Sequence, residues 1–219
     1  MLSKVIDNQP IIAREGWPFL AISVVLASLA SAYGPVWLMG LLWLIVLFVL
    51  QFFRDPVRSI PVGEGLVVAP ADGRVIWTGI ARDPFLKRDA LKVSIFMNVF
   101  NVHSNRSPVN GTIVDIRYSA GKFFNADLDK ASEQNERNAL HIISSAGDDV
   151  TCVQVAGLIA RRILCYVKKG DSLVAGQRFG FIRFGSRVDI YLPESAKLEV
   201  ELGNKTVGGE SVIATLKVN

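Results

Sequence analysis

The chain has 219 residues, a formal net charge of +4 and a pI of about 9.2. Its two cysteines form no C-x-x-C pair, so two free thiols in a reducing compartment are the simplest interpretation. The basic residues are not interleaved with aromatic residues in a stripe. This excludes the usual signature of nucleic-acid binding and, beside a long apolar segment, favours an anionic lipid surface.

The N-terminal part carries no charged residue between Trp17 and Phe53. One helix through this run would be about 55 Å long, whereas the hydrocarbon core of a bilayer is about 30 Å thick. The Gly34-Pro35 pair favours a turn and disfavours a continuous helix. The sequence therefore predicts a hairpin of two apolar spans, about 17–33 and 36–53.

The charges that flank this hairpin predict its orientation. Lys4 and Arg14 precede the first span, Arg54 and Arg58 follow the second, and the turn carries no charge. The positive-inside rule then places both ends in the cytoplasm. A hairpin that dips into one leaflet is the alternative, because the first span is at the lower length limit. We expect a membrane hairpin over 1–53 and a second domain over 54–219 on the cytoplasmic side of the cell membrane.

The second domain contains many short β-prone segments. "LVVAPADGRVIWTG" (66–79) predicts a strand, a turn and a strand, and "LKVSIFMNVFNVH" (91–103) predicts a long apolar strand that ends in polar residues. Further short strands with Gly-containing turns follow to the C-terminus. The prediction is a mainly β, barrel-sandwich-like domain with little helix. Two stretches, "VVAPADGRV" and "VKKGDSLVAGQRFGFI", are similar to the halves of biotinyl or lipoyl domains.

Few residues are candidates for chemistry. Of the two histidines, His103 lies at the polar end of an apolar strand, where functional sites are often built, and His141 lies in an alternating strand typical of a structural residue. Asp72 lies in a Pro-Ala-Asp-Gly turn, and turn formation alone can account for an Asp there. No metal-binding or nucleotide-binding motif is found, so neither a metal nor a nucleotide cofactor is predicted.

Gly185-Ser186 interrupts "FGFIRFGSRVDIYLP" (179–193), which otherwise predicts one strand. A Gly in a strand often marks a bulge, and a strained Gly-Ser peptide can be a place where chemistry happens to the chain itself. A different hypothesis comes from Lys130, because "DLDKAS" looks like a lipoyl attachment motif. It would make the protein a membrane-anchored lipoyl- or biotinyl-like carrier or binding domain.

Several segments together resemble one known family, phosphatidylserine decarboxylase, in its short membrane-anchored form. The matching segments are "FFRDP" (52–56), "APADG" (69–73), "FMNVFNVHSNRSPVNG" (96–111), "NERN" (135–138), "GLIARRI" (157–163) and "FGFIRFGSRVDIYLP" (179–193). They cover nearly the whole second domain in the right order. The last is the most specific, because precursors of this family cut themselves within that Gly-Ser pair.

The resemblance implies a reaction and a cofactor. The chain would cut itself between Gly185 and Ser186 into a β chain (1–185) and an α chain (186–219) that stay associated. Ser186 would become a pyruvoyl group, the only cofactor implied, which acts as an electron sink when CO₂ leaves. The substrate would be membrane phosphatidylserine and the product phosphatidylethanolamine. A related pyruvoyl enzyme for a soluble amino acid is disfavoured by the hairpin, and a homo-oligomer is left open.

The resemblance also implies roles for named residues. Ser186, His103 and Asp72 would carry out self-processing, with His103, oriented by Asp72, taking the proton from Ser186. Longer members have two histidines in the segment where this chain has one. His103 would therefore serve both processing and decarboxylation, with His141 as the reserve candidate. The candidate ligands of the lipid phosphate are Arg106, Arg161 and Arg162.

Overall fold

A computed structural model describes residues 3–4, 10–121, 134–157, 162–183 and 185–217. The chain divides into two compact units, Asp7–Val57 and a larger unit made of Met1–Ile6 and Arg58–Asn219. The smaller unit contains the helices, and the larger contains the strands.

The smaller unit is a helical hairpin. A 3₁₀ turn (Arg14–Gly16) leads into α1 (Trp17–Tyr33), and α2 (Val36–Phe52) follows after two residues. Gly34 is extended and Pro35 is the N-cap of α2, so the chain turns where the sequence predicted. Arg14–Tyr33 is long and apolar enough to cross a membrane by length and composition, whereas α2 is shorter.

The two ends of the hairpin lie side by side. The backbone N–H of Ala13 donates to the carbonyl of Phe53 at 2.7 Å, and the N–H of Asp55 donates to Ile11 at 2.6 Å. The Phe19 and Phe53 rings stack with their centroids 5.4 Å apart. Entry and exit of the hairpin are therefore fixed together at one end of this unit.

The larger unit is built from short antiparallel strands. In the described residues they are, in chain order, β1 (Ser3–Lys4), β2 (Ser59–Ile60), β3 (Leu66–Val68), β4 (Gly73–Arg82), β5 (Asp89–Met97), β6 (Ser104–Arg106), β7 (Gly111–Ser119), β8 (Arg137–Ser144), β9 (Asp149–Ala156), β10 (Ile163–Cys165), β11 (Ser172–Leu173), β12 (Arg178–Ile182), β13 (Ser186–Leu192), β14 (Lys197–Leu198), β15 (Lys205–Thr206) and β16 (Val212–Thr215).

The strands form one large sheet and smaller ones. The large sheet has eight strands in the order β11-β7-β8-β9-β13-β5-β4-β15, and the three-stranded sheets have the orders β10-β12-β6 and β14-β16-β3. β1 pairs with β2. The prediction of a mainly β domain with little helix is confirmed.

β13 occupies the middle of the large sheet and is buried on both faces. Val188, Ile190 and Leu192 point into the main apolar core, while Arg187 and Asp189 lie on the opposite face and are also buried. Cross-strand neighbours from β5 and β9 pair along nearly its full length. Burial on both faces explains why the segment shows no simple alternation of apolar and polar residues.

β12 and β13 belong to different sheets. β12 pairs with β6 and β10, whereas β13 pairs with β5 and β9. The prediction of a bulge in one continuous strand was therefore wrong. The chain leaves one sheet after Ile182 and enters the next at Ser186, and Gly185 lies in the crossing.

Candidate active site

The Gly185-Ser186 peptide has an unusual backbone and a buried side chain. Gly185 has φ +64°, a left-handed conformation that side chains other than Gly adopt at a cost. Ser186 opens β13, directly opposite Met97 on β5 and Ala156 on β9. Its hydroxyl is fully buried and has no hydrogen-bond partner among the described residues. A buried hydroxyl without a partner is costly in a folded protein and calls for an explanation, of which a role in chemistry is one.

A Gly185→Ala substitution tests whether this backbone conformation matters for chemistry. No described atom lies within 4 Å of a Cβ at Gly185, so the cost is conformational, about 1–2 kcal/mol of stability. Gly170 is a matched control, because it has φ +91° and equally open space. We expect both Ala variants to unfold at a lower denaturant concentration, but only Gly185→Ala to change the rate of the self-cleavage that the family resemblance implies. Equal cutting rates in both would contradict a role for the Gly185 backbone.

His103 presents an unprotonated nitrogen to the backbone N–H of Gly185, the residue before Ser186. Its Nδ1 lies 2.9 Å from the carbonyl oxygen of Asn101, and a carbonyl only accepts, so Nδ1 carries the proton. Nε2 is then the acceptor, and the backbone N–H of Gly185 donates to it at 3.4 Å. His103 itself is fully buried. This tautomer is the one that a general base next to Ser186 requires.

The turn before His103 holds the carbonyl that selects this tautomer. The N–H of Asn98 donates to Asn101 Oδ1 at 2.8 Å, and the N–H of Phe100 donates to Asn98 Oδ1 at 2.9 Å. The N–H of Asn101 closes the turn on the carbonyl of Asn98 at 3.0 Å. Sequence reasoning missed the role of Asn101, although two Asn residues three positions apart are typical of such a turn.

The hydrogen-bond partners of Asp72 are Arg58 and Gly208 rather than His103. Nη2 of Arg58 donates to both Asp72 carboxylate oxygens at 2.9 Å, and the N–H of Gly208 donates to Oδ1 at 2.8 Å. The Arg58 and Asp72 side chains are 8% and 15% exposed. The prediction that Asp72 orients His103 is therefore corrected, since the Asn101 carbonyl takes that position. Asp72 instead joins the 69–73 turn to the 206–209 turn.

His141 lies away from the Gly185-Ser186 peptide. Its Nε2 is 2.6 Å from Asp149 Oδ1, and its ring packs near Phe85 at 5.6 Å. His141 is paired with Thr151 on β9, and Thr151 is paired with Tyr191 on β13. Tyr191 lies five residues along β13 from Ser186. That offset is about 17 Å at the rise of a β-strand. His103, unlike His141, therefore contacts the chain neighbour of Ser186.

The candidate phosphate ligands differ in their exposure to solvent. Arg106 is buried, and its Nη1 donates to the carbonyl of Gly176 at 3.0 Å. Arg162 is exposed, and its carbonyl accepts the N–H of Arg183, two residues before Gly185, at 3.4 Å. The remaining predicted residues, Arg161 and Lys130, lie outside the described residues.

A buried ionic cluster backs the reactive strand and was not predicted from the sequence. Asp189 Oδ1 lies 2.8 Å from Arg187 Nε, and Asp189 Oδ2 lies 3.5 Å from Lys92 Nζ. Lys92 also lies over the rings of Trp77 and Tyr191, at 5.1 and 5.5 Å. Burial raises the pKa of Tyr191, and the nearby charge of Asp189 raises it further. This phenol therefore stays neutral. Lys92 belongs to β5, so the cluster joins residues on either side of the Gly185-Ser186 bond.

Comparison with known proteins agrees with this geometry. The family model described as phosphatidylserine decarboxylase matches residues 45–214. A phosphatidylserine decarboxylase proenzyme of Aromatoleum aromaticum is 58% identical over 208 residues, covering 94% of this chain and 96% of the relative. Proteins of the same name from Burkholderia pseudomallei and Nitrosomonas eutropha are 56% and 58% identical, covering 94% and 95% of this chain and 96% of each relative. The chain belongs to the phosphatidylserine decarboxylase family.

Proposed function

We propose that this protein is a lyase that decarboxylates phosphatidylserine to phosphatidylethanolamine with a pyruvoyl group made from its own Ser186. The observation that carries the proposal is the Gly185-Ser186 peptide, whose buried hydroxyl has no partner among the described residues. The acceptor nitrogen of His103 receives the backbone N–H of Gly185, the residue before Ser186. Membership of the family indicates the substrate. The Gly185-Ser186 peptide contains the residue from which the reactive group would be made.

Self-cleavage needs only groups of the chain and water. Ser186 Oγ attacks the carbonyl carbon of Gly185 while His103 Nε2 accepts the hydroxyl proton. The C–N bond then breaks as His103 gives that proton to the departing nitrogen, which leaves an ester to Oγ and a free amine at residue 186. Loss of the Ser186 α-proton breaks the Cβ–Oγ bond, releases the Gly185 carboxylate and leaves dehydroalanine. Tautomerisation and hydrolysis by water release ammonia and leave a pyruvoyl group, so no oxidant is required.

The surroundings of Ser186 fit a pyruvoyl group. The residues opposite it are Met97 and Ala156, and its oxygen makes no hydrogen bond to a described residue that the conversion would break. The cut also leaves β13 paired with β5 and β9 from residue 186 onwards. The α chain would therefore remain part of the sheet without a covalent link.

The roles in decarboxylation follow from this arrangement. The pyruvoyl carbonyl supplies an electron sink for the bond to CO₂. His103, which the Asn101 carbonyl orients, is the group placed to return a proton to the headgroup carbon. Arg162 is the exposed cation proposed to bind the lipid phosphate, with Arg161 beside it in sequence. Arg106 is buried against Gly176 and is proposed to shape the pocket wall rather than to reach the phosphate.

The hairpin fits a substrate that lies in a bilayer. Apolar side chains along both helices are exposed in their own unit, with Ile22 at 62%, Trp37 at 70% and Leu44 at 64%. Exposed apolar surface of this extent indicates a lipid or protein partner. We place the hairpin, within residues 1–53, in the cell membrane, and the flanking basic residues put the 54–219 domain on the cytoplasmic side.

The intact mass of the detergent-purified chain tests this function. We expect two fragments that meet at 185/186, with the smaller one lighter by one ammonia than a peptide that begins with Ser. Ser186→Ala should stay whole. Ser104→Ala is the matched control, because Ser104 is also buried without a hydroxyl partner among the described residues and adjoins His103. It should cut normally.

The lipid assay uses the same preparations. The cut protein should release CO₂ from phosphatidylserine in mixed micelles and none from free serine, while Ser186→Ala should be inactive on both. An uncut wild-type chain in a folded, membrane-bound sample would overturn the proposal. Turnover of free serine alone would favour the enzyme for a soluble amino acid.

A further inference from the structure

Three buried side-chain amides form a chain of hydrogen bonds close to Ser186. Asn138 Nδ2 donates to Gln154 Oε1 at 3.0 Å, and Gln154 Nε2 donates to Asn105 Oδ1 at 2.8 Å. All three residues are at most 3% exposed. Asn138 and Gln154 belong to the large sheet and Asn105 to the sheet of β6, so this amide chain joins the two sheets between which Gly185 crosses.

The direction of the amide chain is fixed by a backbone group. Gln154 Nε2 also lies 3.5 Å from the carbonyl oxygen of Leu164, which can only accept. The amide nitrogen of Gln154 must therefore face Leu164 and Asn105, and Asn105 must turn its amide oxygen towards that nitrogen. Gly180 makes room for the contact, because a Cβ there would lie 2.6 Å from Gln154 Nε2. The amide nitrogen of Asn105 consequently points away from Gln154.

That nitrogen faces the residue opposite Ser186. Asn105 Nδ2 lies 3.9 Å from Met97 Sδ, its only hydrogen-bond acceptor in the part of the chain that the structure describes. Thioether sulfur is a weak acceptor, so a fully buried amide with two N–H groups keeps most of its donor capacity. Met97 and Ser186 are directly opposed on neighbouring strands, so their side chains lie on one face of the sheet. The amide chain thus places a donor with unused capacity beside Met97, directly across the sheet from Ser186.

We propose that the Asn105 amide is a hydrogen-bond donor to the oxyanion that develops on the Gly185 carbonyl during self-cleavage. This inference rests on the proposed function. Asn105 and His103 are two residues apart, so one short segment would provide both the base and the oxyanion donor. A preorganised donor aimed at developing charge stabilises the transition state without reorganising, and the loss of one such donor costs about 10²- to 10³-fold in rate.

Isosteric substitutions at the two ends of the amide chain test the proposal. Asn105→Asp keeps an oxygen for Gln154 Nε2 but removes the donor beside Ser186. Asn138→Asp makes the same change at the far end and is the matched control. Because Asp can bury an unwanted charge, Asn105→Ala and Asn138→Ala form a second, uncharged pair. Thermal unfolding of each variant in detergent reports whether the chain is folded.

The measurement is the rate at which the full-length chain disappears by intact mass, from pH 5 to 8. We expect both Asn105 variants to cut about 10²- to 10³-fold more slowly than wild type, and both Asn138 variants to stay within a few-fold. The rate of Asn105→Asp relative to wild type should rise as the pH falls, because a protonated carboxyl regains a donor. Purely structural damage would not give this pH trend.

The outcomes separate this inference from the function on which it rests. If the wild-type chain stays uncut, the proposed function has failed. If wild type cuts and Asn105→Ala cuts equally fast, Asn105 is not the donor. If folded Asn105 and Asn138 variants slow equally, the amide chain only supports the fold, and the proposal is overturned.

Discussion

His103→Ala is expected to leave almost all of the chain uncut under conditions where wild type is fully processed. The Nε2 of His103 accepts the backbone N–H of Gly185, next to Ser186 in the chain, and the Asn101 carbonyl holds the proton on the other nitrogen. A serine hydroxyl is a weak nucleophile without such a base. Loss of a positioned general base slows a reaction by about 10²- to 10⁴-fold. The measurement is intact mass against time after purification.

The matched control is His141→Ala, which removes the only other histidine. That ring hydrogen bonds with Asp149, the first residue of β9, and lies away from Ser186, so cutting should continue at the wild-type rate. His103→Gln keeps most of the buried volume and should be as slow as His103→Ala. Added imidazole should restore part of the rate to His103→Ala, since the small side chain leaves room for it. Normal cutting by folded His103→Gln, or equal loss in His141→Ala, would contradict this assignment.

Much of the fold could be predicted because its signals are local. The uncharged run and the Gly34-Pro35 pair specify two helices and the turn between them through length and backbone chemistry. Short β-prone segments with Gly turns specify a mainly β unit. The crossing at Gly185 could not be predicted in this way. Phe181 and Val188 are equally β-prone, and only the partners of their strands, β6 and β5, show that they belong to different sheets.

The residues of the site could be proposed from the sequence, but their hydrogen-bond partners could not be predicted as well. Ser186 and His103 were proposed from the sequence, and in the structure His103 contacts Gly185, the residue before Ser186. Asp72 was identified too, but its partner was not, because Arg58 and Gly208 reach it from distant parts of the chain. Hydrogen-bond partners depend on which strand ends meet in space, and a single sequence does not record this.

Asp72→Ala is expected to cost about 3–5 kcal/mol of stability, the usual loss when one member of a buried ion pair is removed. It would leave the Arg58 guanidinium, 8% exposed, without its carboxylate, and would remove the acceptor of the Gly208 N–H. Denaturant unfolding in a Ser186→Ala background measures this on a single uncut chain. Asp89→Ala is the control, because its pair with Arg82 is 60% and 64% exposed and should contribute only about 0–1 kcal/mol.

The double variant Arg58→Met/Asp72→Ala separates a structural role for Asp72 from a catalytic one. Removing both charges eliminates the uncompensated guanidinium, so much of the lost stability should return. If Asp72 acts only by compensating the buried charge of Arg58, this double variant should also recover self-cleavage when Ser186 is present. A double variant that folds stably but stays uncut would mean that Asp72 acts directly on the reacting groups. The Asn101 carbonyl would then not be sufficient to orient His103.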